Sequence, residues 1–256
     1  MVNAPTFGRS PGLPGFAGRG AALWAALALA GALRIALWLH RTGPVWFEEK
    51  VPLAWALRLW GFDRGGFDPN PHSALWPHLS VYFFFAVQLL HYWAGRLSGA
   101  YAGPADFHAA VTLDPDLLRS SSMIAALLVG VLTVWASARL AERVAGRSAM
   151  PWVALVLALD PNFIRHSLVI SPDMLLTLFV VLGLVAALEV SEHGTLRASL
   201  LGGLWLGLGT ACKYSPALLA APLLVAHALR PGGRRGIAVL RDVQLWLAAL
   251  VALTAF

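Results

Sequence analysis

The sequence predicts an all-α protein that crosses a membrane several times. Three observations carry this expectation. Of the 256 residues, 58% are hydrophobic and only 12% charged, about half the charged share of a soluble domain. Mean hydropathy is +0.68. The apolar residues gather into runs that approach the roughly 20 residues a spanning helix needs, and arginines punctuate the gaps. The net charge of +6 comes largely from those arginines, which set orientation beside membrane spans. No aromatic-interleaved basic patch lies outside them, so nucleic acid is not an expected partner. The one cysteine, Cys212, excludes an intramolecular disulfide and a cysteine metal cluster.

The first run is Ala21 to Leu39, preceded by Arg9 and Arg19. It exceeds the roughly 7–15 residues of a signal-peptide core, and His40 and Arg41 follow without a small-residue cleavage site. A retained helix is expected behind a cytoplasmic tail of residues 1–20. Arg34, near the far end, is read as snorkelling to the interface. Later runs are Ser121 to Ala138, Met150 to Phe163, Met174 to Leu188, Leu200 to Ala211, Pro216 to Leu229, and Val243 to Phe256. Several are short by strict count, and flanking Asp160, Pro161 and Ser167 are expected to extend them. The last run is read as a truncated span, with a further C-terminal part missing. Residues 21–256 form one transmembrane domain on this reading.

Leu79 to Leu90, LSVYFFFAVQLL, is short and aromatic. It either spans or lies flat as an interfacial amphipathic helix. If it lies flat and Arg9 and Arg19 are cytoplasmic, then Arg139, Arg143, Arg147, Arg197, Arg230, Arg234, Arg235 and Arg241 all fall on the cytoplasmic side, as the positive-inside rule requires. Residues 41 to about 119 are therefore expected to form one long external loop carrying interfacial helices. Glu48, Glu49, His72, His78, Asp173 and Lys213 then share the external face.

Each of these polar groups has a structural and a functional reading. Ser171-Pro172-Asp173 is a good helix start, with proline in the first turn and an acid on the dipole; an ionisable group at the membrane surface also marks function. Lys213-Tyr214 is either an interfacial lysine beside a belt tyrosine or a point charge for a phosphate. Glu48 and Glu49 are either a solvated pair or, for one of them, a general base; neighbours on a helix point about 100° apart, so the other supports. Asp68, His72 and His78 match no strong metal signature. Arg119 opens an apolar run, where a cation opposes the helix dipole unless an anion accompanies it. No Walker loop, GxGxxG after a strand, GxSxG or HExxH is present, which removes support for a soluble nucleotide-dependent mechanism.

Taken in order, these positions resemble the GT-C superfamily of membrane glycosyltransferases, in particular the glycosyltransferase family 39-like branch of protein O-mannosyltransferases and the lipid A aminoarabinose transferase. The likeness runs from about Leu23 to the end. Glu48-Glu49 stands where the family opens its external loop with an acidic pair, usually Asp-Glu. Trp76-Pro77-His78-Leu79 through Tyr82 resembles its proline-aromatic stretch, Arg119 its helix-opening arginine, Pro161 through Asp173 its proline-to-aspartate segment, and Gly202 to Lys213 its glycine-rich helix ending in lysine. The resemblance implies a GT-C-type helix bundle in the cell membrane, with an active site facing outside. It implies a polyprenyl-phosphate sugar donor and inverting transfer to an acceptor that the sequence does not identify. Glu48 would be the base with Glu49 beside it, and Lys213, Arg119 and Tyr214 would hold the donor phosphate. Asp173, His72 and His78 would orient the site or ligate a divalent metal cation, the one cofactor the resemblance allows. Glu48 departs from the family aspartate, and its extra methylene moves the carboxylate by roughly an ångström, enough to matter in catalysis. Two other classes share the helices and charges: a transporter or flippase component for lipid-linked sugars, and a non-catalytic membrane scaffold.

Overall fold

The computed structural model describes residues 16–40, 47–72, 77–114, 116–233 and 236–256, with the side chains of residues 16–19 and 47–49 outside the description. Expectations that fall on Arg9, on Trp76 and on Arg234 and Arg235 therefore lie outside the described residues. The elements are helical throughout the described residues: α1 (Phe16–Leu39), α2 (Phe47–Arg58), α3 (Leu79–Ser98), α4 (Pro104–Leu113), α5 (Arg119–Ala145), α6 (Ala149–Leu159), α7 (Pro161–Ser167), α8 (Pro172–His193), α9 (Leu196–Cys212), α10 (Ala220–Leu229) and α11 (Val243–Ala255). Among the described residues, three helices are long and apolar enough to cross a membrane: Gly20–Leu39, Arg119–Ala145 and Pro172–His193. The fold is an all-α membrane protein.

The chain folds as a serpentine whose direction can be read from its contacts. Leu23, Ala26, Leu27 and Ala30 of α1 pack on Val134 and Ala138, late in α5, and on Ala154 and Ala158 of α6. Trp38, at the end of α1, packs in the cluster that holds Met123, near the start of α5. Thus α1 and α5 run antiparallel, and the segment carrying α2 to α4 leaves and rejoins the bundle at the same end. We call it the site end. Helix α3 lies there, with Ser80, Val81, Phe84, Gln88 and Tyr92 buried. Its opposite stripe exposes Tyr82, Leu90, Trp93 and Leu97. These two stripes, spaced three, four and seven residues apart, are the pattern of a helix with two apolar environments.

Local chemistry sets the helix ends. Thr195, Ser171, Asp160 and Asp242 each accept a hydrogen bond from an amide in the following turn, which satisfies a donor the helix leaves open. Asp160 and Pro161 do not extend the run from Met150, as the sequence count expects. Instead they break it into α6 and α7, because a residue before proline is pushed out of the helical region, and Asp160 takes φ −63, ψ 118. The run from Pro216 similarly begins as a 3-10 turn, Ser215–Leu219, before α10.

Close packing between helices relies on small residues. A Cβ added to Gly203 would lie 2.1 Å from the carbonyl oxygen of Ala248, and one on Gly207 would lie 2.4 Å from that of Ala252. Helices α9 and α11 therefore touch backbone to backbone, a contact that only glycine permits.

Candidate functional site

Helices α8 and α9 meet the site end in opposite directions, one starting and one finishing there. Ser171 caps α8 from an extended conformation (φ −143, ψ 163), Pro172 occupies the first turn, and Asp173 follows. The Ser171 hydroxyl accepts from the Asp173 amide at 3.3 Å, and the Thr177 hydroxyl donates to the Asp173 carbonyl at 2.7 Å. Lys213 ends α9 in an extended conformation (φ −160, ψ 149). Two helix ends are thus turned so that their charges face each other. Lys213 Nζ lies 2.9 Å from Asp173 Oδ1, with the side chains 47% and 41% exposed. An ion pair that wet contributes about 0–1 kcal/mol to stability, so the pair is poorly explained as a staple. A half-exposed ammonium and carboxylate held at the ends of two apolar helices is well placed to meet a charged group from outside the bundle.

Beneath the pair, Met174, Leu175 and Cys212 are buried with Leu79 and Phe83 of α3 packed against them. That contact brings the start of α3, and with it His78, to the same mouth. His78 precedes α3 without capping it. Helix α2 reaches the same end: Trp55, Ala56 and Leu59, with Val51 and Leu53, share a cluster with Met123, Ile164, Leu168 and Ile170. The helix that carries Glu48 and Glu49 in its first turn is therefore packed in the cluster that includes Ile170, the residue before Ser171. The two carboxylates themselves lie outside the described side chains. Arg119 is the first residue of α5, half-buried. Tyr214 is 62% exposed, with its ring 6.4 Å from that of Phe256.

His72 is held elsewhere, in the loop between α2 and α3. Its Nε2 meets Asp68 Oδ2 at 2.8 Å, and the same oxygen accepts from Arg64 Nη1 at 2.7 Å. The Asn70 amide donates to the other Asp68 oxygen at 2.9 Å, and the Tyr82 hydroxyl ties the loop to α3 through the Pro69 carbonyl at 2.8 Å. These hydrogen bonds, from His72 first, then the Asn70 amide and Arg64, hold the Asp68 carboxyl down at about 2. Among the described residues, Asp68, His72, His78 and Asp173 do not come together as a three-ligand set. The group that does is Glu189, Glu192 and His193, at the opposite end of the bundle, where Arg143 already bridges both glutamates.

Two features escape a linear reading of the sequence. One is a cleft of about 770 Å³ beside the site end, walled by Trp60, Phe62, Phe67, Phe85, Pro104 and His108. Its signal was the aromatic density of residues 60–85. The other is Arg34. It does not snorkel: it is fully buried and bonded inward, with Nε 2.7 Å from the Ser167 hydroxyl.

The family model for dolichyl-phosphate-mannose-protein mannosyltransferases matches residues 118–256. That span includes Arg119, Asp173, Lys213 and Tyr214 and leaves out Glu48, Glu49, His72 and His78. Comparison with curated proteins and with solved structures gives no match.

Proposed function

The chain belongs to the dolichyl-phosphate-mannose-protein mannosyltransferase family, and from that premise we propose that it transfers a sugar from a polyprenyl-phosphate donor to a hydroxyl acceptor at the external face of the membrane. Membership makes it a GT-C-type membrane glycosyltransferase with a lipid-linked donor. The observation that carries the finer reading is the Asp173–Lys213 pair, half-exposed at two helix ends, on the same end of the bundle as the helix opened by Glu48.

In this reaction the acceptor oxygen attacks the anomeric carbon, and the bond from that carbon to the phosphate oxygen breaks. The acceptor proton passes to the Glu48 carboxylate, and polyprenyl phosphate leaves with one more negative charge than it carried as the diester. Lys213 is a fixed cation for that developing charge, a role in which a preorganised group lowers the barrier by stabilising what forms in the transition state. Arg119 and Tyr214 add a second cation and a hydroxyl at the same end. Asp173 holds the ammonium at the mouth until the phosphate replaces it as partner. Attack from the face opposite the leaving phosphate inverts the anomeric centre. A transporter would place its charges near the midplane on interrupted helices; here the pair stands at helix termini, which favours the transferase. The basic clusters at the opposite end support a cytoplasmic assignment for that end.

The test uses the full-length protein in membranes with a polyprenyl-phosphate sugar. Glu48→Gln and Lys213→Ala each lower transfer on the order of 100-fold or more; wild-type turnover by both ends the catalytic assignment. Orientation is read separately with cysteines introduced at positions 173 and 143. Labelling from outside occurs at 173, and external labelling at 143 would reverse the topology.

A further inference from the structure

Among the described residues Arg34 is the largest fully buried side chain, and no carboxylate among them is its hydrogen-bond partner. A charge at such a position is costly and calls for an account. Its three nitrogens have three acceptors: Nε donates to Ser167 Oγ at 2.7 Å, Nη1 to the Ala30 carbonyl at 2.9 Å, and Nη2 to the Leu157 carbonyl at 3.4 Å. Its guanidinium also lies over the Phe163 ring, 5.4 Å from the centroid.

The Leu157 contact has a chemical cause. In an unbroken helix the carbonyl of residue 157 accepts from the amide of residue 161. Residue 161 is proline and has no N–H. The break that Asp160 and Pro161 impose therefore leaves the Leu157 carbonyl without its helical donor in a low-dielectric interior, where an unmade hydrogen bond is expensive. Arg34 supplies a donor from a neighbouring helix. With Nε it also holds Ser167, whose hydroxyl bonds back to the Phe163 and Ile164 carbonyls at 3.0 and 2.8 Å. One side chain of α1 thus grips the last turn of α6 and the last residue of α7. Gly130 of α5 makes room for it: a Cβ there would lie 2.6 Å from Ser167 Cβ and 3.6 Å from Arg34 Nε.

We propose that Arg34 is a positioning residue that bolts the α6–α7 break to α1 and so fixes where the following turn presents Asp173 to Lys213. The inference deepens the transferase reading and rests on it for its functional meaning. The transmission path is short and packed. Between Ser167 and Asp173, Leu168, Ile170, Ser171 and Pro172 are buried and Val169 is half-buried. A shift at Ser167 has little slack in which to dissipate, because packed interiors move as units.

The experiment has two arms, neither of which needs sugar transfer. In the first, thermal midpoints of the full chain in detergent are compared for wild type, Arg34→Met, Asp160→Ala/Pro161→Ala, and the three substitutions together. Arg34→Met alone lowers the midpoint by at least about 4 °C, since it strands buried acceptors. The double alanine variant lets α6 run on and gives residue 161 an amide, so the loss from Arg34→Met falls to less than half in that background. Additive losses would overturn the assignment. In the second arm, Asp173→Cys and Lys213→Cys are joined by a short bis-maleimide, with Cys212→Ser removing the native thiol. Cross-linking is efficient with Arg34 present and falls at least fivefold with Arg34→Lys, which keeps the charge and the fold but not the fork. Equal cross-linking in both would show that Arg34 does not govern the pair. Loss of transfer in the wild type, with both arms as expected, would instead sink the transferase reading and leave the bolt in place.

Discussion

At one end of the bundle Arg143 bridges Glu189 and Glu192, Glu142 takes Arg139 and Arg147, and buried Asp242 receives His227 at 2.8 Å and Arg230 at 2.9 Å. At the other end Lys213 meets Asp173 across a mouth open to water. The first arrangement is redundant and tied into the chain. Asp242 also caps α11, and Arg230 Nη1 bonds Gln244 as well. The second has little support and occurs where two helices stop. The carboxylates that serve the fold each hold two cationic partners, or share one, and Asp242 is buried with His227 as well, whereas a single pair left half-exposed at two helix ends is available to exchange partners. The contrast separates architecture from chemistry within one bundle.

The comparison can be broken by variants at the redundant end. Asp242→Ala removes a helix cap and leaves a buried histidine and a half-buried arginine without their carboxylate, so a destabilisation of about 3 kcal/mol is expected. It is read as a fall in the unfolding midpoint with the turnover of the surviving folded protein unchanged. Lost turnover without lost stability would erase the distinction between the ends. Arg143→Gln comes next and is much smaller, below about 1 kcal/mol, because its ion pairs are each about a third exposed or more. A larger loss, measured the same way, would show that this end acts as one cooperative network.

The smallest effect lies in the loop after α2. The Asp68 carboxyl is lowered to about 2, so its contribution is present above the ordinary carboxylate value of about 4 and is lost as pH falls from there toward 2. The midpoint difference between wild type and Asp68→Asn is therefore slight near neutrality and closes on acidification. A difference that widens in acid would contradict the hydrogen bonds drawn to Asp68. Asp242 follows the same sign: burial raises its carboxyl, but His227, the Gln244 amide and Arg230 more than offset that and leave it lowered. Acid therefore weakens that end too.

Much of this was legible because membrane helices announce themselves by length and apolarity. The runs from Ser121, Met174 and Leu200 became α5, α8 and α9. Ser171-Pro172-Asp173 read correctly as a helix start because capping is local chemistry. The break at Asp160-Pro161 was misread as an extension, since a span count rewards length and is blind to the amide that proline lacks. Arg34 was misread for a related reason. Its position near a helix end says snorkel, and the acceptors that hold it inward, the Leu157 carbonyl and the Ser167 hydroxyl, lie 123 and 133 residues away. The Asp173–Lys213 pair spans 40 residues; sequence order placed both at one face but could not give their contact. The buried Asp242–His227 pair carried no motif at all.

The seam between α9 and α11 limits what this protein can become. Lipid tails are as apolar as leucine, so helices in a bilayer gain little by hiding greasy surface and adhere through close fit instead. Gly203 and Gly207 supply that fit by bringing two main chains into contact. Across the rest of its surface α11 shows Trp246, Leu250 and Leu253, positions free to drift among bulky residues. Substitution is therefore barred at Gly203 and Gly207 of α9 by a matter of one carbon atom and tolerated on the outer face of α11, so mutational scans should find intolerance at those two glycines and a permissive apolar stripe on the helix packed against them.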